Sequence, residues 1–392
     1  MMSITSIVFK KELKDIFRDK KTLIVGILLP LLIYPVLFGV MGKGIKGQVD
    51  EVEKNMKVSI VDKGNSNLGK FIKSQKNIEV ITDDKAEEKV KDGKLLLAIE
   101  IPEDVDKKIA EEKQADVKIT YDNSSTKSNT AIGIINNYIE QYSKTIVASR
   151  LDQRKIDAKI LTPINLVKKT TEKESEGMGK FILSIMLPMM LIMFAATGPI
   201  TAATDLGAGE KERGTLEPLL TTQASRMSLL WGKFLAITFM GIITSFAFMG
   251  GILISMKTSP EMFGGQGGVS ISIGSLIIMV ILTIALTMVF AALALAISIY
   301  ARSFKEAQTY LTPLTFLGMF GFATYAIDAK NVSMLFLNIP ILNITAILKE
   351  LTLGVYNFTH IGIVSAWTIV YIVASILFAR YMFSRESVIF RT

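Results

Sequence analysis

Uncharged apolar runs, each long enough to cross a bilayer, place the tightest limit on what this chain can fold into. They cover 22–42, 181–204, 234–256, 269–301, 307–327 and the end of 351–379. A membrane-crossing helix needs about 18 or more such residues. A further run, 331–348, is broken by Asn338, Pro340 and Asn343. Half of the residues are hydrophobic and the mean hydropathy is positive. Because the excess is clumped, a polytopic membrane protein is expected rather than a soluble domain. The chain has no cysteine, which excludes a disulfide framework and thiolate metal sites. A basic leader followed by an overlong apolar run does not fit a cleavable signal peptide.

The formal net charge of +8 is informative by position. Lys10, Lys11, Lys14, Arg18, Lys20 and Lys21 precede the first run; Lys211, Arg213 and Arg226 lie in the loop 205–226; Arg302 and Lys305 lie in 301–308, and Arg380, Arg385 and Arg391 in the tail. Short basic loops mark the cytoplasmic side. Six spans with both ends inside put all of these on one face, and seven would strand the tail outside. The expected fold is therefore a polytopic α-helical membrane protein with six transmembrane helices plus a re-entrant hairpin. A large extracytoplasmic α/β domain lies between helices 1 and 2. The expected divisions are an interfacial amphipathic helix over 1–21, transmembrane helix 1 over 22–42 and the outer domain with its long helix over 43–178. Helix 2 follows over 179–204, a cytoplasmic segment over 205–226, and helices 3, 4 and 5 over 227–256, 269–301 and 307–327. A re-entrant segment over 331–358, helix 6 over 360–383 and a cytoplasmic tail over 384–392 complete the chain. No soluble stretch interleaves aromatic with basic residues, so nucleic acid is not an expected partner.

In the outer domain, 57–62, 78–82, 95–101 and 116–121 read as strands, with helices over 66–76, 85–93, 103–113 and 126–160. GNSNLGK (64–70) fits the spacing of a phosphate-binding loop, but Phe71 stands where a magnesium-ligating hydroxyl is needed. A strand-to-helix turn capped by Ser66 is the expected reading, so no nucleotide site is expected here. In FKKELKDIFRDKK (9–21), Phe9, Leu13, Ile16 and Phe17 share one helical face and Lys10, Lys14, Arg18 and Lys21 another. That pattern suits a helix lying on anionic membrane lipids, or a positive-inside anchor.

The loop DLGAGEKERGTLEPLLTTQASR (205–226) packs charges between two apolar runs. Its first helix is expected to continue through Arg213, stop at Gly214 and restart with Thr215 as N-cap. Glu217 and Pro218 then suit a first turn. Leu216, Leu219 and Leu220 share a face at i, i+3 and i+4, a short apolar knuckle of the kind that enters a partner's groove. The alternative is a polar turn whose charges pair among themselves.

GEKERGTLEPLLTTQASR (209–226), KKELKDIFRDKKTL (10–23), IPED (101–104), ITYDNSS (119–125) and IPILNITAILKELTLG (339–354) together resemble ABC exporter permeases of the type-two, or type V, family along the whole chain. Within it, the resemblance is greatest to a sodium-extruding subgroup. The resemblance implies a permease that is not itself an enzyme, pairs with a second copy, and works with two separate ATP-binding subunits that hold ATP and magnesium. It also implies that Glu210, Lys211, Glu212, Arg213, Gly214, Thr215, Leu216 and Glu217 transmit force, with Leu219 and Leu220 as an apolar plug. This chain itself needs no cofactor.

Polar groups at membrane depth are the default candidates for a transport path. Thr197, Thr201, Thr204 and Asp205 fall along the end of the second run, and Asn343 and Glu350 near the broken one. Their oxygens suit a hard cation; the alternative is that the threonines bond to their own helix. A lipid, peptide or antibiotic cargo remains open, as do a membrane sensor and a secondary antiporter. The inner loops are too short for a sensor's output domain, and an antiporter would carry acidic residues within its spans.

Overall fold

The computed structural model of the chain describes residues 3–81, 85–161, 163–164, 169, 174–263 and 271–389. The segment 171–173, the first two residues of the 269–301 run and Arg391 lie outside the described residues. Two units emerge, Met1–Val40 with Thr170–Thr392, and Met41–Lys169.

Helix α1 (Ile4–Arg18) starts at Ser3, whose side chain accepts a hydrogen bond from the Ser6 amide. Its buried line is Val8, Glu12 and Ile16. The amphipathic face is thus rotated from the expected one, and Phe17 stands exposed. A short helix and a π turn over Ile24–Leu28 lead into α2 (Leu29–Lys54).

The second unit is an α/β fold built from β1 (Met56–Asp62), α3 (Asn67–Lys73), β2 (Ile78–Val80), α4 (Ala86–Lys91), β3 (Leu97–Ile101), α5 (Val105–Ala110), β4 (Lys118–Tyr121) and α6 (Thr126–Gln153). The sheet order is β2-β1-β3-β4, parallel except for β4. Val58 of β1 stands opposite both Val80 and Leu97. Strand residues Val58, Ile60, Leu97 and Ile99 form one core with Leu68 and Ile72 of α3 and Ala131 and Ile135 of α6. The long helix ends at Gln153, short of the expected 160, and 158–161 forms a 3-10 turn.

The start of α3 settles the phosphate-loop resemblance. Ser66 caps it, accepting from the Gly69 amide. The Asp62 carboxylate accepts from the Ser66 amide at 2.8 Å, and Asp106 from the Asn67 amide at 3.0 Å. A Cβ on Gly69 would lie 2.0 Å from Asp62 Oδ2. The anion position at this helix N-terminus is filled by the chain's own carboxylates.

The first unit resumes with α7 (Glu174–Thr204), which contains Pro188 and Pro199. There follow the short α8 (Leu216–Leu220), α9 (Arg226–Thr258), α10 (Ile273–Tyr300), α11 (Phe304–Met319), α12 (Leu342–Thr352) and α13 (Phe358–Ser384). Among the described residues, five helices are long and apolar enough to cross a membrane: Ile24–Lys54, Gly179–Glu212, Arg226–Thr258, Ile273–Tyr300 and Phe358–Ser384. The helices α7, α9 and α10 carry most of the shared core, including Leu191, Ile192, Phe234, Phe248, Phe290 and Leu295. The first and last of the five leave most of their apolar surface uncovered, as lipid-facing helices do.

The 307–327 run departs from the expected regular helix. Its α-helical part has 16 residues, about 24 Å, short of the roughly 30 Å hydrocarbon core. Beyond Met319 it tightens into a 3-10 helix over Phe320–Ala326. Gly321 there lies so close to α7 that a Cβ would stand 2.7 Å from the Met189 carbonyl oxygen. The 331–348 run breaks as its Asn and Pro residues foretell. A short helix over Met334–Asn338 ends, Ile341 takes φ 70°, and α12 begins, buried along nearly its whole length.

Candidate functional site

The helical path of α7 does not stop at Thr204. It widens into a π turn over Asp205–Gly209 and returns to α-helix for Glu210–Glu212. The small residues DLGAG permit this by close packing: a Cβ on Gly207 would lie 2.4 Å from Ser298 Oγ, and that hydroxyl accepts from the Ala208 amide at 3.1 Å. The extra residue in the turn shifts the phase of the side chains that follow. Gly214 ends the helix at φ +67°. Its amide donates to the Lys211 carbonyl and the Thr215 amide to the Glu210 carbonyl. Those two bonds form a Schellman cap, which requires the left-handed conformation that glycine adopts freely.

Each of the four charges in EKER goes to a different neighbour. Glu210 turns inward, 4 % exposed. Its Oε2 accepts from Lys233 Nζ of α9 at 2.6 Å and its Oε1 from Lys11 Nζ of α1 at 2.9 Å. Lys211 donates to the carbonyls of Ile299, at the end of α10, and Val388, both at 2.8 Å. Glu212 accepts from the Phe304 amide at the start of α11, at 2.7 Å. Arg213 reaches back about two turns to Asp205, at 2.8 Å. The alternative in which the EKER charges pair among themselves is not what forms.

At the centre is a buried ion cluster. Lys233 is wholly buried and uses its three donors on Glu12 Oε1 at 3.2 Å, Glu210 Oε2 at 2.6 Å and the Leu206 carbonyl at 3.0 Å. Glu12 is also wholly buried, and Lys11 bonds it from the half-exposed side at 3.2 Å. Two ammonium groups face two carboxylates, so the formal charges cancel. Such a group survives burial only when every member is paired. At Lys11, burial alone lowers the ammonium, but the Glu210 bond and both carboxylate charges outweigh it and hold it above the usual lysine range. Gly232 makes the approach possible, because a Cβ there would lie 2.4 Å from Val8 Cγ1 and 3.2 Å from the Phe9 amide nitrogen.

Beside the cluster lies an open groove of about 470 Å³ between α1 and α8, lined by Lys11, Asp15, Arg213, Pro218, Leu219 and Thr222. The knuckle differs from its expected form in two respects. Leu216 is buried and Leu219 is partly packed against the helical core, so these two leucines are not free. The Leu220 side chain lies outside the described residues. Thr215 does not act as an N-cap; its hydroxyl donates to the Glu210 carbonyl, completing the cap of the preceding helix. Glu217 is exposed, and Ser225 caps α9 as expected.

The family described as ABC-2 family transporter protein matches residues 20–379. The chain belongs to the ABC-2 transporter family. The ABC transporter permease protein NatB of Bacillus subtilis (strain 168) is 27 % identical over 387 residues, covering 97 % of each chain. The chain is accordingly a multi-pass permease subunit of an ABC transporter, and ATP hydrolysis belongs to separate subunits.

The polar residues singled out near the membrane are dispersed in this ABC-2 permease. The hydroxyls of Thr197 and Thr204 donate to the carbonyls of Met193 and Ile200 on their own helix. Thr201 is exposed, and Asp205 is held by Arg213. Asn343 is wholly buried; it donates to Tyr371 Oη at 3.3 Å and accepts from the Ile344 amide. Glu350, 2 % exposed, pairs with His360.

Lys11, Glu12 and Lys233 are not among the residues to which the sequence pattern points. The available signal was Lys233, seven residues after Arg226 in a helix of otherwise apolar neighbours. An ionisable group in that position demands a counter-ion.

Proposed function

We propose that this permease is the membrane part of an ATP-driven exporter, in which α1 and the 205–226 segment receive force from the ATP-binding subunits. The observation that carries this reading is the Glu12–Lys233–Glu210–Lys11 cluster. It fastens the interfacial helix, the extension of α7 and the start of α9 into one body. A displacement applied at the exposed Glu212, Arg213, Glu217 or Pro218 is then delivered to several membrane helices at once. Glu210 acts inside that body and Glu212, Arg213 and Glu217 at its surface. The groove beside α8 offers the partner a concave seat.

The finer architecture we propose is six crossings with both termini inside, the α/β unit outside and 331–358 re-entrant. Placement of the basic loops supports it. The 3-10 extension of α11 adds seven residues, or about 14 Å, enough for that run to complete a fifth crossing. Two copies of the chain, two ATP-binding subunits and surrounding lipid make up the working assembly, with ATP and magnesium held outside this chain. Sodium is the proposed cargo. It rests on the resemblance of the chain to the sodium-extruding subgroup, the charged signature marking the family as a whole; Thr201 and Asn343 are the path residues best placed to be tested.

Reversing both charges, Glu212→Arg with Arg213→Glu, is expected to weaken co-purification with the ATP-binding subunits at least about a hundredfold. Like-charge juxtaposition at an interface costs several kcal/mol. Unchanged association and export would remove the force-receiving role. Separately, sodium should stimulate ATP turnover of the assembled complex in proteoliposomes. Indifference to sodium would discard that cargo while leaving the exporter reading intact.

A further inference from the structure

The turn between α12 and α13 is closed by a side-chain clasp that the coupling machinery does not use. Helix α12 ends at Thr352, Gly354 follows with φ +76°, and the Val355 amide donates back to the Glu350 carbonyl at 2.8 Å. Asn357 then caps α13, accepting from the amides of Thr359 and His360. Across this short turn, His360 Nδ1 meets Glu350 Oε1 at 2.7 Å. His360 is the chain's only histidine. Its side chain is 12 % exposed and that of Glu350 is 3 % exposed.

The carboxylate is only half satisfied. Glu350 Oε2 is buried with no hydrogen-bond partner among the described residues. Neighbouring groups that might have served it are committed elsewhere. Lys349 donates to the carbonyls of Thr324 and Ile327, at 2.7 and 2.6 Å, and Asp328 acts on Lys349. Tyr371 of α13 bonds Asn343, and Tyr356 of the turn bonds Ser272 and Ser275 of α10. The charged group acting on Glu350 is His360.

We infer that Glu350 and His360 form a proton-binding site that locks the end of α12 to the start of α13. With neutral imidazole and ionised carboxylate, the Nδ1–H donates to Oε1, and the pair carries one uncompensated negative charge with its second oxygen buried. Burial of that kind is costly. One proton from solvent removes the cost, either at Nε2, giving an imidazolium–carboxylate pair, or at Oε2, giving a neutral acid beside a neutral imidazole. No bond other than N–H or O–H forms, and no other co-reactant is needed. Loss of the proton restores the buried charge and loosens the clasp. The site takes a proton rather than a metal cation, since one carboxylate oxygen is all that it offers as a free ligand.

The single histidine makes the test direct. In the full-length chain labelled with ¹⁵N-histidine and held in lipid nanodiscs, the imidazole signals should report one protonation step as the pH is varied. Glu350→Gln should weaken proton binding at the imidazole about tenfold, because it removes the facing negative charge. The wild-type titration needs no variant, so a misfolded Glu350→Gln protein leaves the test standing. Imidazole signals that stay constant with pH in folded protein would overturn the proposal. So would a titration unmoved by Glu350→Gln, or signals that respond to sodium chloride at fixed pH and not to pH.

Discussion

Replacing Lys233 with methionine should destabilise this permease by about 3–5 kcal/mol, the usual cost of removing one partner from a buried ion pair. Methionine nearly preserves the volume of the lysine stem, so the loss isolates the charge. Glu12 and Glu210 would be left facing each other in a site that excludes water, with Lys11, half exposed, as their remaining cation. The Leu206 carbonyl would lose its donor as well. Thermal unfolding in detergent should register the loss directly. A charge-balanced double change, Lys233→Met with Glu210→Met, should recover much of that stability, since Lys11 and Glu12 remain as a neutral pair. If the cluster transmits force, the same double variant will still fail to couple ATP turnover to export. Recovery of both properties together would reduce the cluster to a packing device.

How far the sequence foretold this arrangement depends on which interaction formed each part. Apolar runs, Gly214 as a helix stop, Ser225 and Ser66 as caps and the strand-helix alternation of the α/β unit are local. Each is set by a few neighbouring side chains or by one backbone conformation, so pattern and spacing carry them. The partners of EKER are not local. Glu210 meets Lys233 and Lys11 only after α1 and α9 have packed, across 23 and 199 positions in the chain. Periodicity put Phe9, Leu13, Ile16 and Phe17 on one face of α1, whereas the buried line is Val8, Glu12 and Ile16. It could not foresee that a charged residue, Glu12, would take the centre of that face, because the reason lies in another helix. Leu216 shows the converse: its spacing marked a free apolar knuckle, and the fold covers it. The π turn over Asp205–Gly209 bears on the second of these, since one added residue in a turn redirects the side chains that follow it.

Gly232 supplies the second large effect, and it reaches the same cluster by shape rather than charge. Gly232→Leu would place a Cβ 2.4 Å from Val8 Cγ1 and 3.2 Å from the Phe9 amide nitrogen. The first of these contacts is far inside van der Waals range, and the second involves backbone that cannot rotate away. Helix α1 must therefore move off α9. Overpacking of this kind costs about 1–3 kcal/mol by itself. The displacement also draws Glu12 away from Lys233, adding the unpaired-charge cost. The expected result is a variant destabilised as much as Lys233→Met although every charge is retained. Proteolysis should show it first, as cleavage within 4–18 at protease levels that leave the wild type intact. Val8 Cβ would also lie 2.6 Å away, so adding Val8→Ala to Gly232→Leu removes only the Cγ1 contact and should restore little of the protection, while Val8→Ala alone should cost far less than Gly232→Leu. If Gly232→Leu proved as resistant and as stable as the wild type, α1 would not be seated against α9, and the rigid body on which force transmission depends would be absent.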